Sequence, residues 1–214
     1  MEDVLDVYRR PFDPKRPLVC LDEGSKQLLA HSREPLPMQP PQPGQSGHAV
    51  REDYEYVREG TCSFFMVFAP LLSWRRVAVT QRRTARDFAH VVKDLADVQF
   101  PEAEVIVLVM DNLNTHTPAS LYEAFPPAEA KRLADKLEIH YTPKHGSWLD
   151  MAEIELSVLS NQCLDRRLPD VETLTREIAA WEETRNAAKM TVHWQFTTEQ
   201  ARIKLHKLYP SLLP

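Results

Sequence analysis

The stretch VIVLVMDNLNTH, residues 105–116, holds six consecutive apolar residues that run directly into Asp111. A continuously apolar run of this length is typical of a strand that helices cover on both faces of a sheet. Aspartates at strand ends also start turns and cap helices, so Asp111 alone does not define a site. The stretch therefore predicts a buried strand that presents a carboxylate at its end.

The remaining patterns alternate between strand and helix around this stretch. Further strands are predicted at 17–23, 61–70, 73–80 and 137–143, with a hairpin joining the second and third of these. Helices are predicted within 1–16 and at 82–97, 127–137, 150–166, 170–190 and 197–208, the last with a capping box. The proline density between residues 34 and 47 favours an extended insertion. This order predicts an α/β protein with a mixed central sheet flanked by helices.

The composition excludes several classes of protein. No apolar run reaches the ~18 residues of a membrane-spanning helix, and the acidic start MEDVLDVYRR is not a signal peptide. Three widely spaced cysteines favour reduced thiols in a cytosolic setting over a zinc site. Because the formal net charge is −5, any nucleic-acid surface must be local. Basic residues that occur in clusters either form such a surface or belong to faces that are simply solvated. The candidates are Arg75, Arg76, Arg82, Arg83, Arg86, Lys131, Arg132, Arg166 and Arg167.

Two of the predicted strands end in acids, PLVCLDE at Asp22 and VIVLVMDN at Asp111. Ligands of α/β sheets bind outside the carboxyl ends of the strands. If the two strands are adjacent and parallel, the two carboxylates lie close together. Like charges at such a distance need a cation or a proton between them, and Mg²⁺ prefers carboxylate oxygens. The pair therefore predicts a metal site at this edge of the sheet.

A third acid is expected from KHGSWLDMAEIELSVLSNQ, which starts with turn-forming residues and enters a helix that carries Glu153 and Glu155. Three carboxylates would hold two metal ions, and such a pair clamps the attacking and leaving oxygens of a phosphodiester. On a helical wheel, Glu155 falls within the apolar arc, whereas Glu153 lies roughly opposite. Periodicity alone therefore favours Glu155 as the inward acid.

Five blocks of the sequence resemble the DDE transposases, in particular the bacterial insertion-sequence branch of the mariner-like superfamily. The blocks are LDEGSKQLL, EYVREGTCSFFMVFAP, VMDNLNTH, YTPKHGSWLDMAEIELSVL and WQFTTEQARIKLHKLYP. They extend over nearly the whole chain, from about residue 10 to about residue 210. The resemblance implies an RNase H-like fold, an acidic triad that binds two Mg²⁺ or Mn²⁺ ions, and cut-and-paste DNA transposition.

Motif by motif, the resemblance implies that Asp22, Asp111 and Glu153 are the catalytic and metal-binding triad. The assignment of Glu153 contradicts the helical wheel. We follow the motif, because residues at the start of a helix need not obey the periodicity of its body, and Glu155 remains the alternative. Asp150 stands where relatives usually carry Asn, which would add a negative charge beside the site.

The resemblance also implies a division of the chain and a set of partners. Residues 1–16 would form a linker with a short helix, residues 17–190 the catalytic domain with a proline-rich insertion at 34–60, and residues 191–214 a helical tail packed on that domain. Relatives carry an N-terminal helix-turn-helix region, and we expect a separately encoded or frameshifted half to supply it. The expected partners are transposon-end DNA, target DNA and a second copy in a synaptic dimer, in the bacterial cytoplasm at the nucleoid.

Several alternatives stay open at this point. The chain could be a catalytically silent DNA-binding or regulatory remnant of a transposase, or a small-molecule phosphohydrolase. His116 either orients substrate or contacts a phosphate, or it only caps a turn; His140 and His145 flank the same predicted edge. Trp148 either packs beneath the start of its helix or stacks on a flipped base.

Overall fold

One five-stranded sheet forms the centre of the computed structural model, which describes residues 1–144 and 146–209. In chain order the strands are β1 (Leu18–His31), β2 (Tyr56–Ala69), β3 (Trp74–Thr80), β4 (Ile106–Met110) and β5 (Leu137–Tyr141). Their spatial order is β3-β2-β1-β4-β5. The pairs β1–β2 and β2–β3 are antiparallel, so the predicted hairpin is confirmed, and the pairs β1–β4 and β4–β5 are parallel. The predicted mixed sheet is therefore confirmed.

Helices lie between and after the strands. They are α1 (Glu2–Tyr8), α2 (Ala85–Asp94), α3 (Ala119–Ala124), α4 (Pro127–Asp135), α5 (Met151–Leu159), α6 (Val171–Ala187) and α7 (Thr198–Lys204). The predicted capping box of α7 is present, because Thr197 and Gln200 exchange side-chain and backbone hydrogen bonds. The sequence did not predict α3, whose six residues are too few to show a helical period. Within the described ranges, no helix has the length and apolarity needed to span a membrane.

The sheet separates two hydrophobic cores. One core packs against α1, α5, α6 and α7, and the other packs against α2, α3 and α4. The side chains of β4 alternate between them, with Val107 and Val109 in the first core and Ile106, Leu108 and Met110 in the second. Because both faces of β4 are covered, every one of its residues is buried, which explains the uninterrupted apolar run.

The C-terminal end of β1 differs from the prediction. The sequence placed the end of this strand at the acids Asp22 and Glu23, whereas β1 continues to His31 because β2 pairs with it along that length. What ends near Asp22 is the parallel pairing with β4, whose last aligned residues are Leu21 and Met110. From Asp22 onward, β1 therefore has no β4 neighbour on that side.

Residues 32–55 form an exposed arm between β1 and β2. Prolines prevent a continuous ladder of hydrogen bonds in this segment, as the sequence predicts. The segment instead folds back on itself through three isolated antiparallel bridges, Leu36–Arg51, Gln39–His48 and Gln42–Gln45. Gly44 at the tip has a φ of 82°, a left-handed conformation that glycine adopts without strain. The arm is thus an extended hairpin rather than an unstructured insertion.

The strand β3 forms one edge of the sheet, and α6 satisfies part of its backbone. The side chain of Asn186 accepts a hydrogen bond from the Arg75 N–H at 2.9 Å and donates one to the Arg75 carbonyl at 2.8 Å. Glu182 accepts from the Val77 N–H at 2.7 Å. These polar groups of the edge strand are therefore paired within the chain.

Candidate active site

Asp22 and Asp111 lie next to each other in the sheet. Leu21 and Met110 are the last aligned pair of β1 and β4, and each acid is the next residue along its strand. Since side chains alternate between the faces of a strand, both acids are expected on the face of Cys20 and Val109, which pack in the core that contains α5. The structure thus brings these two predicted site residues to one rim of the sheet.

The carboxylate of Asp22 lies in a negatively charged environment. Burial raises the pKa of Asp22 to about 6, and the charges of Asp111, Glu23 and Glu153 add to this effect. A hydrogen bond of 2.8 Å from the Glu23 N–H opposes it. Within the described part of the chain, no basic side chain forms an ion pair with Asp22. Such a carboxylate favours either a proton or a bound cation.

Glu153 lies in the first turn of α5 and is partly buried. Its charge contributes to the raised pKa of both Asp22 and Asp150, so it lies within electrostatic range of both acids. The carboxylates of Asp22, Asp111 and Glu153 do not all lie within 4.8 Å of one another in this structure. Among the described residues, the set of three whose ligand atoms do so consists of Glu23, Asp111 and His116.

His116 lies fully buried between two carboxylates. Its Nδ1 atom is 2.5 Å from Asp111 Oδ1, and its Nε2 atom is 2.7 Å from Glu23 Oε2. Burial alone would lower the pKa of His116, but the hydrogen bonds to Asp111 and Glu23 raise it to about 9. Each nitrogen faces a carboxylate oxygen, an arrangement that favours the doubly protonated ring. The buried ring does not contact a phosphate in this conformation, and the His116 N–H closes a turn with the Leu113 carbonyl at 3.0 Å. A role in orienting substrate stays a prediction.

Asp150 caps the N-terminus of α5 beside the acids. Its Oδ1 atom accepts a hydrogen bond of 2.8 Å from the Ala152 N–H, whereas Oδ2 is buried without a partner among the described residues. Burial raises the pKa of Asp150 well above its usual range, and the charge of Asp22 raises it further. The neutral carboxyl is therefore favoured. Burial therefore disfavours the extra negative charge that the sequence suggested at this position.

Glu155 lies on the inner face of α5, as helical periodicity predicts, but its neighbours are arginines. The fully buried carboxylate is 3.1 Å from Arg75 Nε and 2.9 Å from Arg185 Nη2. Arg75 is itself fully buried, so it belongs neither to a DNA-binding surface nor to a solvated face, and both interpretations left open by the sequence were wrong. Two guanidinium groups thus neutralise Glu155, and its oxygens are not available to a cation.

Most of the other basic residues suggested by the sequence also have partners inside the chain. Arg86 and Arg167 donate to backbone carbonyls, and the ion pairs are Arg76–Asp94, Arg83–Glu23, Lys131–Asp135, Arg132–Glu129 and Arg166–Glu177. Lys144, which the sequence did not single out, is exposed and lines an open groove of about 370 Å³ beside Asp111. Asn112, Thr142 and Ser147 also line this groove. This groove therefore places a positive charge beside Asp111.

Three further residues were suggested from the sequence. His140 lies between Asp3 and Glu138, at 2.7 and 3.0 Å, and forms no described ion pair with the site acids. The half-exposed Trp148 packs against Trp194 and Phe196, with ring centroids 6.4 and 5.9 Å apart, which supports its packing role. His145 lies outside the described residues.

A mixed sheet of this order, with acids at the rim where its central parallel strands separate, defines an RNase H-like domain. The family of DDE superfamily endonucleases matches residues 17–175. Since this match spans more than half of the chain, the protein belongs to that family. A comparison with curated protein sequences gives no significant match.

Solved structures show the same fold at low sequence identity. The Mos1 strand transfer complex matches with a TM-score of 0.55 and 15% identity, over 85% of this chain and 51% of the Mos1 chain. The mariner Mos1 paired-end complex with Mg matches with a TM-score of 0.52 and 16% identity, over 86% and 53%. A simian T-cell lymphotropic virus intasome matches with a TM-score of 0.50 and 13% identity, over 96% and 59%. The chain therefore spans about half the length of the Mos1 chains.

Proposed function

We propose that this chain is the catalytic domain of a DNA transposase. It would hydrolyse phosphodiesters at transposon ends and join the freed 3′ ends to target DNA. The observation that carries this proposal is the meeting of Asp22 and Asp111 on adjacent parallel strands, within electrostatic range of Glu153. Membership of an endonuclease family supports it. The similar structures, described as a strand transfer complex, a paired-end complex and an intasome, also support it.

We propose Asp22, Asp111 and Glu153 as the residues that hold Mg²⁺ or Mn²⁺, with two ions in the active state. The raised pKa of Asp22 supports this fit, because its burial and its acidic neighbours disfavour an uncompensated charge. Hard divalent cations take such carboxylate oxygens as ligands. When bound, the ions supply Lewis-acid stabilisation of the attacking and leaving oxygens.

Other residues of the chain hold these acids in place. The Glu23 N–H and His116 fix Asp22 and Asp111, and Asp150 caps the helix that carries Glu153. Lys144 lies on the groove beside Asp111, where its charge attracts the phosphate backbone of DNA. Hydrolysis followed by attack of a 3′ hydroxyl needs no covalent protein–DNA intermediate, so no nucleophilic side chain is required.

The finer expectations from the resemblance belong to the same proposal. We infer that the DNA partners are transposon ends and target DNA, and that two copies act together in a synaptic complex. A helix-turn-helix region would bind the ends, supplied by another segment or another chain. The bacterial insertion-sequence branch of the mariner-like superfamily is the proposed origin.

Nicking of duplex DNA that carries the ends of the parent element tests this function. We expect Mg²⁺-dependent nicking by the wild-type chain and its loss in Asp111→Ala. Asp135→Ala is the matched control, because Asp135 is an exposed helix acid paired only with Lys131. Its nicking should equal that of the wild type. A wild-type chain that neither binds a divalent ion nor nicks DNA would instead be a silent regulatory remnant. Turnover of a simple phosphate ester without any action on DNA would indicate a phosphohydrolase.

A further inference from the structure

Glu23, His116 and Asp111 form a continuous link that the acidic triad does not include, because His116 is hydrogen-bonded to Asp111 and lies within ion-pair distance of Glu23. The two contacts of the imidazole, 2.5 Å to Asp111 and 2.7 Å to Glu23, use both of its nitrogens. The second oxygen of Glu23 lies 3.7 Å from the exposed Arg83. The link thus connects the exposed guanidinium of Arg83, through Glu23 and the buried His116 ring, to the carboxylate of Asp111 at the rim of the sheet.

The geometry of the link between Glu23, His116 and Asp111 does not suit a metal site centred on His116. The two ring nitrogens point in different directions, and each is already within hydrogen-bonding distance of a carboxylate oxygen. A single ion cannot replace both contacts, and replacing one would leave the buried Glu23 or the buried ring without a partner. The close approach of these three ligand groups is therefore better explained by a protein-internal link.

His116 is fixed from several sides. Its side chain is fully buried, and the Glu23 side chain is only 4% exposed. The Phe88 ring packs at 5.0 Å from the imidazole, and the Tyr141 hydroxyl donates to the His116 carbonyl at 2.8 Å. Asp111, by contrast, has 32% of its side chain exposed. The ring is therefore rigid, and it holds one oxygen of a carboxylate whose remaining surface faces the groove.

We propose that Glu23 and His116 are positioning residues that orient the Asp111 carboxylate for metal binding. His116 holds Oδ1 of Asp111, and Glu23 holds the ring of His116, so that Oδ2 is directed to the ion. This inference rests on the proposed function, because it assigns Asp111 as a ligand. Residues that orient metal ligands in this way contribute about 10–100-fold to metal affinity when they are tested by substitution.

Binding of Mn²⁺ to the full chain without DNA tests the proposal, measured by calorimetry and by electron paramagnetic resonance. We expect His116→Ala to weaken Mn²⁺ binding about tenfold or more. His116→Gln, which can still donate to Asp111, should restore part of the affinity. Glu23→Gln should give an intermediate loss. Thermal melts followed by circular dichroism identify any variant that is unfolded at the temperature of the assay. If His116→Ala does not fold, Glu23→Gln tests the proposal in its place, because it keeps the shape of the side chain.

The matched control uses a second His–Glu pair in the same sheet. His140 and Glu138 lie on β5 and contact each other at 3.0 Å, without a described ion pair to the site acids. We expect His140→Gln and Glu138→Gln to bind Mn²⁺ as the wild type does. The positioning role would be overturned if folded His116→Ala and Glu23→Gln bound Mn²⁺ with wild-type affinity. A nitrogen coupling in the resonance spectrum, which would show His116 bound directly to Mn²⁺, would also overturn it. Asp111→Ala separates the two proposals, because unchanged Mn²⁺ binding in that variant would overturn the proposed function itself.

Discussion

Glu153 and Glu155 lie two residues apart on α5, yet they have opposite electrostatic surroundings. Glu155 is fully buried and contacts the guanidinium groups of Arg75 and Arg185. Glu153 is partly exposed, and its described electrostatic neighbours are the acids Asp22 and Asp150. One helix thus carries a carboxylate that two arginines neutralise and a carboxylate that forms no ion pair with any described residue.

This difference separates the acid that stabilises the fold from the acid that we propose as a metal ligand. A carboxylate paired inside the protein stabilises the fold only as long as its partners remain, since an unpaired buried charge is costly. A buried acid without a partner of opposite charge destabilises the folded protein unless a proton or a cation binds to it. The contrast between the two glutamates therefore yields opposite expectations for activity and for stability.

The largest expected effect is the loss of activity in Glu153→Gln. Since the proposed metal-binding set would lose a carboxylate ligand, we expect DNA nicking to fall by about 10³-fold or more. The melting temperature should change little, because no described ion pair of the folded protein is broken. Nicking assays and thermal melts of the same preparation measure both properties. Activity within tenfold of the wild type would show that Glu153 is not the third acid.

The next effect is the loss of stability in Glu155→Gln. Removing this charge leaves Arg75 buried without its carboxylate, which should lower the free energy of unfolding by about 3 kcal/mol or more. Urea denaturation measures the change, and Glu153→Gln serves as the matched control on the same helix. Equal stability of the two variants would contradict the distinction between the two glutamates.

Asp22→Asn should stabilise the metal-free protein. Folding raises the pKa of Asp22 from 3.8 to about 6, so the charged form is disfavoured in the folded state. The resulting penalty is absent below about pH 4, grows as the pH rises towards about 6, and is then constant at on the order of 3 kcal/mol. In EDTA at pH 7.5, the variant should melt roughly 6–12 °C above the wild type. A difference that did not shrink on acidification to pH 4 would contradict this origin.

The smallest effect is expected from Arg185→Lys. Arg185 donates to both oxygens of Glu155, at 2.9 and 3.3 Å, and lysine would keep the charge but not this paired geometry. The free energy of unfolding should fall by about 1 kcal/mol. Arg202→Lys is the control, because Arg202 makes a similar two-oxygen contact with Glu2 at the surface, where such pairs contribute little. Equal effects at both sites would show that burial of the pair is unimportant.

The strands that depend on local patterns were predictable from the sequence. The apolar run of β4 and the β-branched and aromatic content of β2 and β3 correspond to the observed elements. The length of β1 was not predictable, because the polar residues 22–27 extend the strand only through pairing with β2. Pairing between distant segments leaves no signal within either one.

At two positions, the periodicity of the element and the charge of the side chain give conflicting predictions of burial. Arg75 was assigned to the surface by its charge, although the two-residue period of β3 places it on the same face as the buried Val77. Glu155 was correctly assigned to the inside by its period, but its arginine partners lie far away in the chain. The link from Glu23 through His116 to Asp111 joins segments about 90 residues apart, so neither end indicates the other.

The pairing of β3 with side chains of α6 has a consequence for the behaviour of the protein at high concentration. An open sheet edge can recruit a strand from a neighbouring molecule and start a fibre-like polymer. Here the Arg75 and Val77 amides already donate to Asn186 and Glu182. Two copies could therefore merge their sheets along this edge only after α6 had detached, and that step would also separate Arg185 from Glu155. The same helix thus restrains self-association while it holds the buried charges together.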